Sequence, residues 1–209
     1  MKRLAILFLL IMITSSSALS GGTFGFGAHG SYANIYVPEP LKSAYGSGFG
    51  GGLHVDFRFG IATIRVNGDY DSFAADHDMY TTLIYDALLA EDPAFLRQDV
   101  KVDGGGMIGI LSFGANGKFS LPNAKASPYA IVGIGMAKTS MSELSVTIQG
   151  APAAIVTDFP SQTKFMLNVG AGVDFPLANN VLFLEVKYTW IFTENEKLAY
   201  LPITVGITF

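Results

Sequence analysis

The sequence predicts an all-β fold: an eight-stranded antiparallel up-and-down transmembrane β-barrel with a short helix in its second long loop. Three observations carry this expectation. Half of the 209 residues are apolar and only 14% are charged, yet after residue 20 no apolar run reaches the length of a membrane-crossing helix. The apolar residues instead recur with period two, the signature of strands with one apolar and one polar face. The links between these segments alternate between short and long, as in a meander that closes on itself and leaves no edge. In a bilayer closure is compulsory, because lipid cannot satisfy a free strand edge.

The first segment reads as an export signal. Lys2 and Arg3 precede the apolar run Leu4–Ile13, and Thr14–Ser17 lead to Ala18-Leu19-Ser20, a small-x-small cleavage site. Ten apolar residues are too few to span hydrocarbon, which needs roughly 20. Residues 1–20 are therefore expected to be removed, leaving residues 21–209 as the barrel domain.

The strands follow in order. Phe24, Phe26, Ala28 and Tyr32 oppose Gly25, Gly27, His29 and Ser31. Phe49, Leu53, Val55 and Phe57 oppose His54, Asp56 and Arg58. Gly60-Ile61 has the glycine-first form of a two-residue type II′ hairpin turn, and Ala62, Ile64, Val66 and Tyr70 then oppose Thr63, Arg65, Asn67 and Asp69. That turn sets Phe59 against Ala62 and therefore Asp56 against Arg65. In the link 71–99, Tyr80, Leu83, Ile84, Ala87 and Leu88 recur at helical spacing, with Asp78 as a cap and Pro93 as a limit, so residues 79–91 are expected to form an amphipathic helix packed on the barrel rim. The segment Lys101–Leu121 is irregular: Ile108 and Ile110 share a face with Ser112, Asn116 and Lys118, which suggests a bulge. Pro122–Lys125 reads as a tight turn. Ala130, Val132, Ile134 and Met136 are set against Gly133, Gly135 and Lys138. The last three strands alternate most strictly. Phe165–Phe175 carries Lys164, Asn168, Gly170, Gly172 and Asp174 on its polar side. Leu182–Phe192 carries Glu185 and Lys187. Leu201–Phe209 carries Thr204, Gly206 and Thr208. Leu177–Asn180 is the turn between the first two, which places Glu185 opposite Gly172 and Lys187 opposite Gly170. The remaining long links are 38–47, 141–162 and 193–198.

A soluble barrel would show the same alternation with its apolar side inward. The polar side here carries Asp56, Arg58, Arg65, Asp69, Lys164, Asp174, Glu185 and Lys187 together with many glycines, which suits the narrow interior of eight strands. These eight charged residues form the candidate lumenal polar network. Tyr32, Phe57, Tyr70, Tyr129, Phe175, Trp190 and Phe192 lie toward strand ends, as aromatic girdles at membrane interfaces require. A soluble barrel would also need more surface Lys and Glu than this composition supplies.

Chemistry is weakly signalled. The absence of cysteine excludes disulfide frameworks, cysteine metal sites, thiol catalysis and lipoprotein acylation. A net charge of −4 argues against nucleic acid as a partner. The pattern G-x-G-x-x-G occurs at Gly25/Gly27/Gly30, Gly46/Gly48/Gly51 and Gly104/Gly106/Gly109, but each lies in or beside a strand and none opens a helix as a dinucleotide site requires. His77 between Asp76 and Asp78 reads as a solvated acidic loop rather than a cation site. His29 with Ser31 could mimic a lipid hydrolase pair, yet alternation puts both inside. No catalytic, cofactor or metal residue is assigned, and no enzyme activity is expected.

The signal segment, the run Ser127-Pro128-Tyr129-Ala130-Ile131-Val132-Gly133-Ile134-Gly135 and the C-terminal Tyr200–Phe209 together resemble the small outer-membrane barrels of Gram-negative bacteria of the OmpA, OmpX and opacity type, over essentially the whole exported chain. The tether domain that follows the barrel in OmpA-like members is not expected here, the barrel reading running to Phe209. The resemblance implies a monomer in outer-membrane lipid, and a terminal Phe209 that the barrel-assembly machinery reads as a signal. It implies a structural or adhesin-like role through surface loops, with an unknown ligand. A narrow channel and a membrane-embedded lipid hydrolase are the alternatives.

Overall fold

The computed structural model describes residues 24–38, 41–91, 93–94, 96–121, 125–155, 161–193 and 197–209. The expected signal segment lies outside them, as do residues 122–124 of the turn expected at Pro122–Lys125. The elements in chain order are β1 (Phe24–Val37), the short α1 (Leu41–Ala44), β2 (Tyr45–Phe59), β3 (Ala62–Ala75), α2 (His77–Glu91), β4 (Val100–Gly105), β5 (Ile108–Ser120), β6 (Ser127–Met141), β7 (Leu144–Ile148), β8 (Ala151–Ile155), β9 (Gln162–Leu177), β10 (Asn180–Phe192) and β11 (Lys197–Thr208). Eight strands close into an antiparallel barrel in the order β1-β11-β10-β9-β6-β5-β3-β2, and β4, β7 and β8 form a separate three-stranded sheet. No helix among the described residues is long and apolar enough to cross a membrane.

Alternation puts the apolar side chains on the outside of the barrel. Phe49, Leu53, Phe113, Ile134 and Val205 stand 53–68% exposed, while Asp56, Arg65, Asn116, Glu185 and Thr208 are buried within it. A surface of this composition is stable only against lipid. Two expected positions differ. Tyr129 points into the lumen rather than into a rim girdle, because it alternates with the outward Ala130 and Val132. Lys138 points outward and is exposed, since it shares the parity of Ile134 and Met136; its long stem can carry the ammonium toward the interface.

Register is set by two tight turns. Phe59 pairs with Ala62 across Gly60-Ile61, with Gly60 at φ 63° and Ile61 outside the left-handed region, as a type II′ turn demands. Leu177 pairs with Asn180 across Ala178-Asn179, where Ala178 takes φ 50°. An L-residue there costs about 1–2 kcal/mol, partly offset by the greater freedom that glycine loses on folding. Ala178→Gly is therefore expected to raise the stability of the refolded barrel by roughly 0.5–1 kcal/mol, read from its denaturant midpoint.

The irregularity expected within Lys101–Leu121 lies outside the barrel strand: register shifts between Val102 and Gly104, where β4 pairs with β7. β5 begins at Ile108 and keeps unbroken register with β3 and β6, while residues 100–105 belong to the outer sheet. Ile108 and Ile110 share a face with Ser112 and Asn116 because the lumen itself changes character along its length. Near the long loops it is an apolar core of Ala33, Ile35, Phe73, Ile108, Ile110, Met166, Ile191 and Tyr200, roofed by Ala44 and Tyr45. Within the barrel, register shifts occur at the loop ends of β1 against β11 and of β2 against β3.

Beyond this core, α2 covers the three-stranded sheet. Val100, Val102, Leu144 and Val146 are buried against Tyr80, Ile84, Tyr85, Leu88 and Ile148. The helical stripe expected to pack on the rim thus covers a sheet that period-two spacing does not separate from loop, and Leu83 stays exposed. Tyr80 ties the helix to the barrel: its hydroxyl donates to Tyr45 Oη at 3.1 Å, with the rings edge-on. The cap is Asp76 rather than Asp78, since its Oδ1 accepts from Met79 N–H at 3.0 Å, three residues into the helix. In β4, the Thr147 hydroxyl and then Lys101 hold the exposed Asp103 carboxyl below its ordinary pKa.

Candidate functional site

The lumen stacks in layers from the tight-turn end toward the long-loop end. The first is a vestibule of ≈ 190 Å³ whose lining includes Arg58, Thr63, Lys118, Ser120, Asp174 and Thr208. Arg58 lies opposite Thr63 on the inner face. Lys118 Nζ sits 2.7 Å from the Asp174 carboxylate and 3.9 Å from the centre of the Tyr129 ring.

The second layer crosses the barrel. Asp56 lies opposite Arg65, whose Nε and Nη2 donate to Oδ1 and Oδ2 at 2.8 and 2.9 Å, a two-pronged guanidinium–carboxylate pair. Arg65 Nη1 also reaches Glu185 Oε2 at 3.5 Å, and its guanidinium stacks 4.5 Å from the Phe183 ring centre. Glu185 accepts from the Tyr129 hydroxyl at 2.8 Å and lies 3.3 Å from Lys187 Nζ. Asp56, Arg65 and Glu185 are 2, 3 and 1% exposed. Glycines make the room: Glu185 faces Gly172 and Lys187 faces Gly170, where an added Cβ would collide with the Tyr129 ring and with the Val186 carbonyl oxygen respectively.

The third layer holds the histidines. His54 Nε2 and Thr208 Oγ1 are 2.9 Å apart, and His54 Nδ1 lies 3.4 Å from His29 Nδ1. His29 Nε2 donates to Asp69 Oδ1 at 2.7 Å, and Asp69 also accepts from Asn67. Ser31 donates to Asp71 at 2.7 Å, and Tyr200 donates to the other Asp71 oxygen at 3.2 Å. Ser31 and His29 thus engage different carboxylates, which is not the arrangement of a nucleophile with its base. A cavity of ≈ 20 Å³ lies among these groups, and the apolar core closes the lumen above it.

Of the eight charged residues expected inside, Asp56, Arg65, Glu185 and Lys187 meet in one cluster. Asp174 pairs with Lys118 and Asp69 with His29, while Arg58 stands in the vestibule. Lys164 occupies an inner-face position near the loop end, opposite Ala137. Sequence reasoning omits Lys118, Tyr129 and Asp71 from the network. The signal for two of them is parity: Tyr129 precedes the outward Ala130, and the inward set that includes Asp69 continues through Asp71. Phe209 follows β11; its N–H donates to Phe26 O at 2.7 Å, its own carbonyl accepts from Phe26 N–H at 3.3 Å, and its ring leans on Phe26.

The closed eight-stranded barrel, its lipid-suited exterior and its packed polar lumen agree with a family match: residues 6–209 fit the family model described as outer membrane protein beta-barrel domain. The chain belongs to that family. This outer-membrane barrel also resembles solved structures. Neisserial surface protein A is 18% identical, with a TM-score of 0.53 over 90% of this chain and 96% of that one. Ail, the attachment invasion locus protein of Yersinia pestis, is 15% identical with a TM-score of 0.44 over 89% and 97%. The N-terminal barrel domain of Pseudomonas aeruginosa OprF is 15% identical with a TM-score of 0.46 over 88% and 99%. At 18% identity the likeness to Neisserial surface protein A is one of fold. No curated protein matches the sequence.

Proposed function

We propose that this outer-membrane barrel is a closed scaffold that presents α2 and the sheet β4-β7-β8 at the cell surface as an interaction platform, in the manner of an adhesin. One observation carries the reading: the lumen is filled across its whole section, by the Asp56–Arg65–Glu185 layer and again by the apolar core, while the ordered structure outside the membrane is concentrated at one end. An eight-stranded barrel packed in this way leaves no water path for solutes. The tight turns and both ends of the barrel domain then face the periplasm, in keeping with the short periplasmic turns and longer outer loops of such barrels. In this proposal residues 1–20 direct export and are removed, residues 21–209 insert as a monomer into outer-membrane lipid, and Phe209 is the signal read by the barrel-assembly machinery. The lumenal network serves stability rather than catalysis, and no cofactor or nucleic acid takes part.

Two measurements test this together. The purified chain in planar bilayers is expected to show no unitary conductance steps. Cells displaying it are expected to adhere to matrix-coated surfaces better than cells displaying a variant whose loops 76–107 and 142–161 are replaced by short Gly/Ser turns. Regular conductance steps in the intact chain would establish a channel, and equal adherence of the two strains would remove the platform role.

A further inference from the structure

We propose that the turn-end vestibule binds a single phosphate group, with Arg58 as its principal ligand. Among the described residues, one cation there has no ion-pair partner. Arg58 and Lys118 line the vestibule together with Asp56 and Asp174. Contacts show which cation it is: Arg65 pairs with Asp56 and Glu185, and Lys118 with Asp174, whereas Arg58 makes no ion pair or hydrogen bond among the described residues. The further lumenal acids Asp69 and Asp71 lie beyond the Asp56–Arg65 layer, shielded from the vestibule by it.

The rest of the lining suits an oxyanion. The hydroxyl side chains of Thr63 and Ser120, from β3 and β5, border the same ≈ 190 Å³ space as Arg58, and Lys118 closes one side. A guanidinium offers planar paired donors that match phosphate oxygens, and hydroxyls can donate to the oxygens that remain. Phosphate has enough acceptors for this many donors, whereas a carboxylate has fewer. The floor is the buried Asp56–Arg65–Glu185 layer, so the vestibule opens toward the turn end. There two sources carry the same chemistry: soluble phosphate, and the headgroup of a phospholipid reaching around the rim.

The test uses the full chain refolded in a maltoside detergent, which carries no phosphate, and titrates inorganic phosphate by calorimetry. Saturable binding is expected. Arg58→Gln should weaken it at least tenfold and Arg58→Lys by a few-fold, while Lys101→Gln, in the outer sheet, should leave it unchanged. Heat-modifiable gel mobility verifies folding of each variant, and Arg58→Lys carries the test if Arg58→Gln does not refold. In phosphatidylglycerol nanodiscs, an unchanged phosphate affinity assigns the site to soluble phosphate, and a weakened one assigns it to competing headgroups; both keep the site. Absence of saturable binding in maltoside, or equal affinity in wild type and Arg58→Gln, overturns it. Neither result bears on the surface platform at the opposite end of the barrel.

Discussion

Arg65→Ala is expected to destabilise the refolded barrel by about 3–5 kcal/mol, the cost of leaving a buried charge without its partner. The residue is 3% exposed and holds two carboxylates, Asp56 and Glu185, that are more deeply buried still. Removing the guanidinium leaves both in a space where Lys187 serves only Glu185. It also removes the cation stacked on Phe183. Denaturant unfolding in detergent gives the loss directly. A double-mutant cycle with Asp56→Ala then separates the pair from its surroundings: the double variant should regain part of the loss, because the stranded Asp56 carboxylate is gone. A loss under about 1 kcal/mol, the range of solvated ion pairs, would show that lumenal water screens these groups.

Ile134→Lys is expected to cost about 2–4 kcal/mol, the penalty for a lysine at the midplane of a barrel's lipid face. Ile134 is the central residue of β6, points outward and is 55% exposed. Lys138, four residues along the same face, is present at no evident penalty because it lies toward the strand end. That contrast supplies an internal control. Moving a lysine from position 134 to position 136 should reduce the cost stepwise, measured by unfolding in phospholipid vesicles. A flat profile across the two positions would contradict the assignment of this face to hydrocarbon.

The register of the charge layer is legible in the sequence because two short turns define it. Gly60-Ile61 leaves Asp56 no partner but Arg65, and the turn at Leu177–Asn180 sets Glu185 against Gly172. Illegibility begins where a period-two reading meets a face of mixed character. Ile108 and Ile110 are lumenal yet apolar, because the interior there is a packed core rather than a polar channel, and only the closed structure brings Phe73, Ile191 and Tyr200 to meet them. The outer sheet is hidden for a different reason. Leu144, Val146 and Ile148 alternate with Ser145 and Thr147, but five residues within a long link carry too little pattern to be told from loop, and β4 reads as a continuation of β5. Side-chain contacts between distant strands, such as Lys118 with Asp174 and Tyr129 with Glu185, depend on how the barrel closes and leave no trace in local spacing.

The layered lumen also bears on how the strands find their partners during assembly. A slip of one residue is punished at once, because it turns charges toward lipid. A slip of two keeps every side chain on its proper face and would be invisible to a lumen of uniform polarity. Here it is not. Sliding β10 by two residues against β9 would move Glu185 from Gly172 to face Gly170 in one direction, or the Asp174 carboxylate in the other. Either slip takes the second carboxylate of Arg65 out of its layer, and it carries the apolar Ile191 away from the core level of Met166. Vertical zoning of the interior thus acts as a proofreading scale, distinguishing pairings that hydrophobic alternation alone would score as equal.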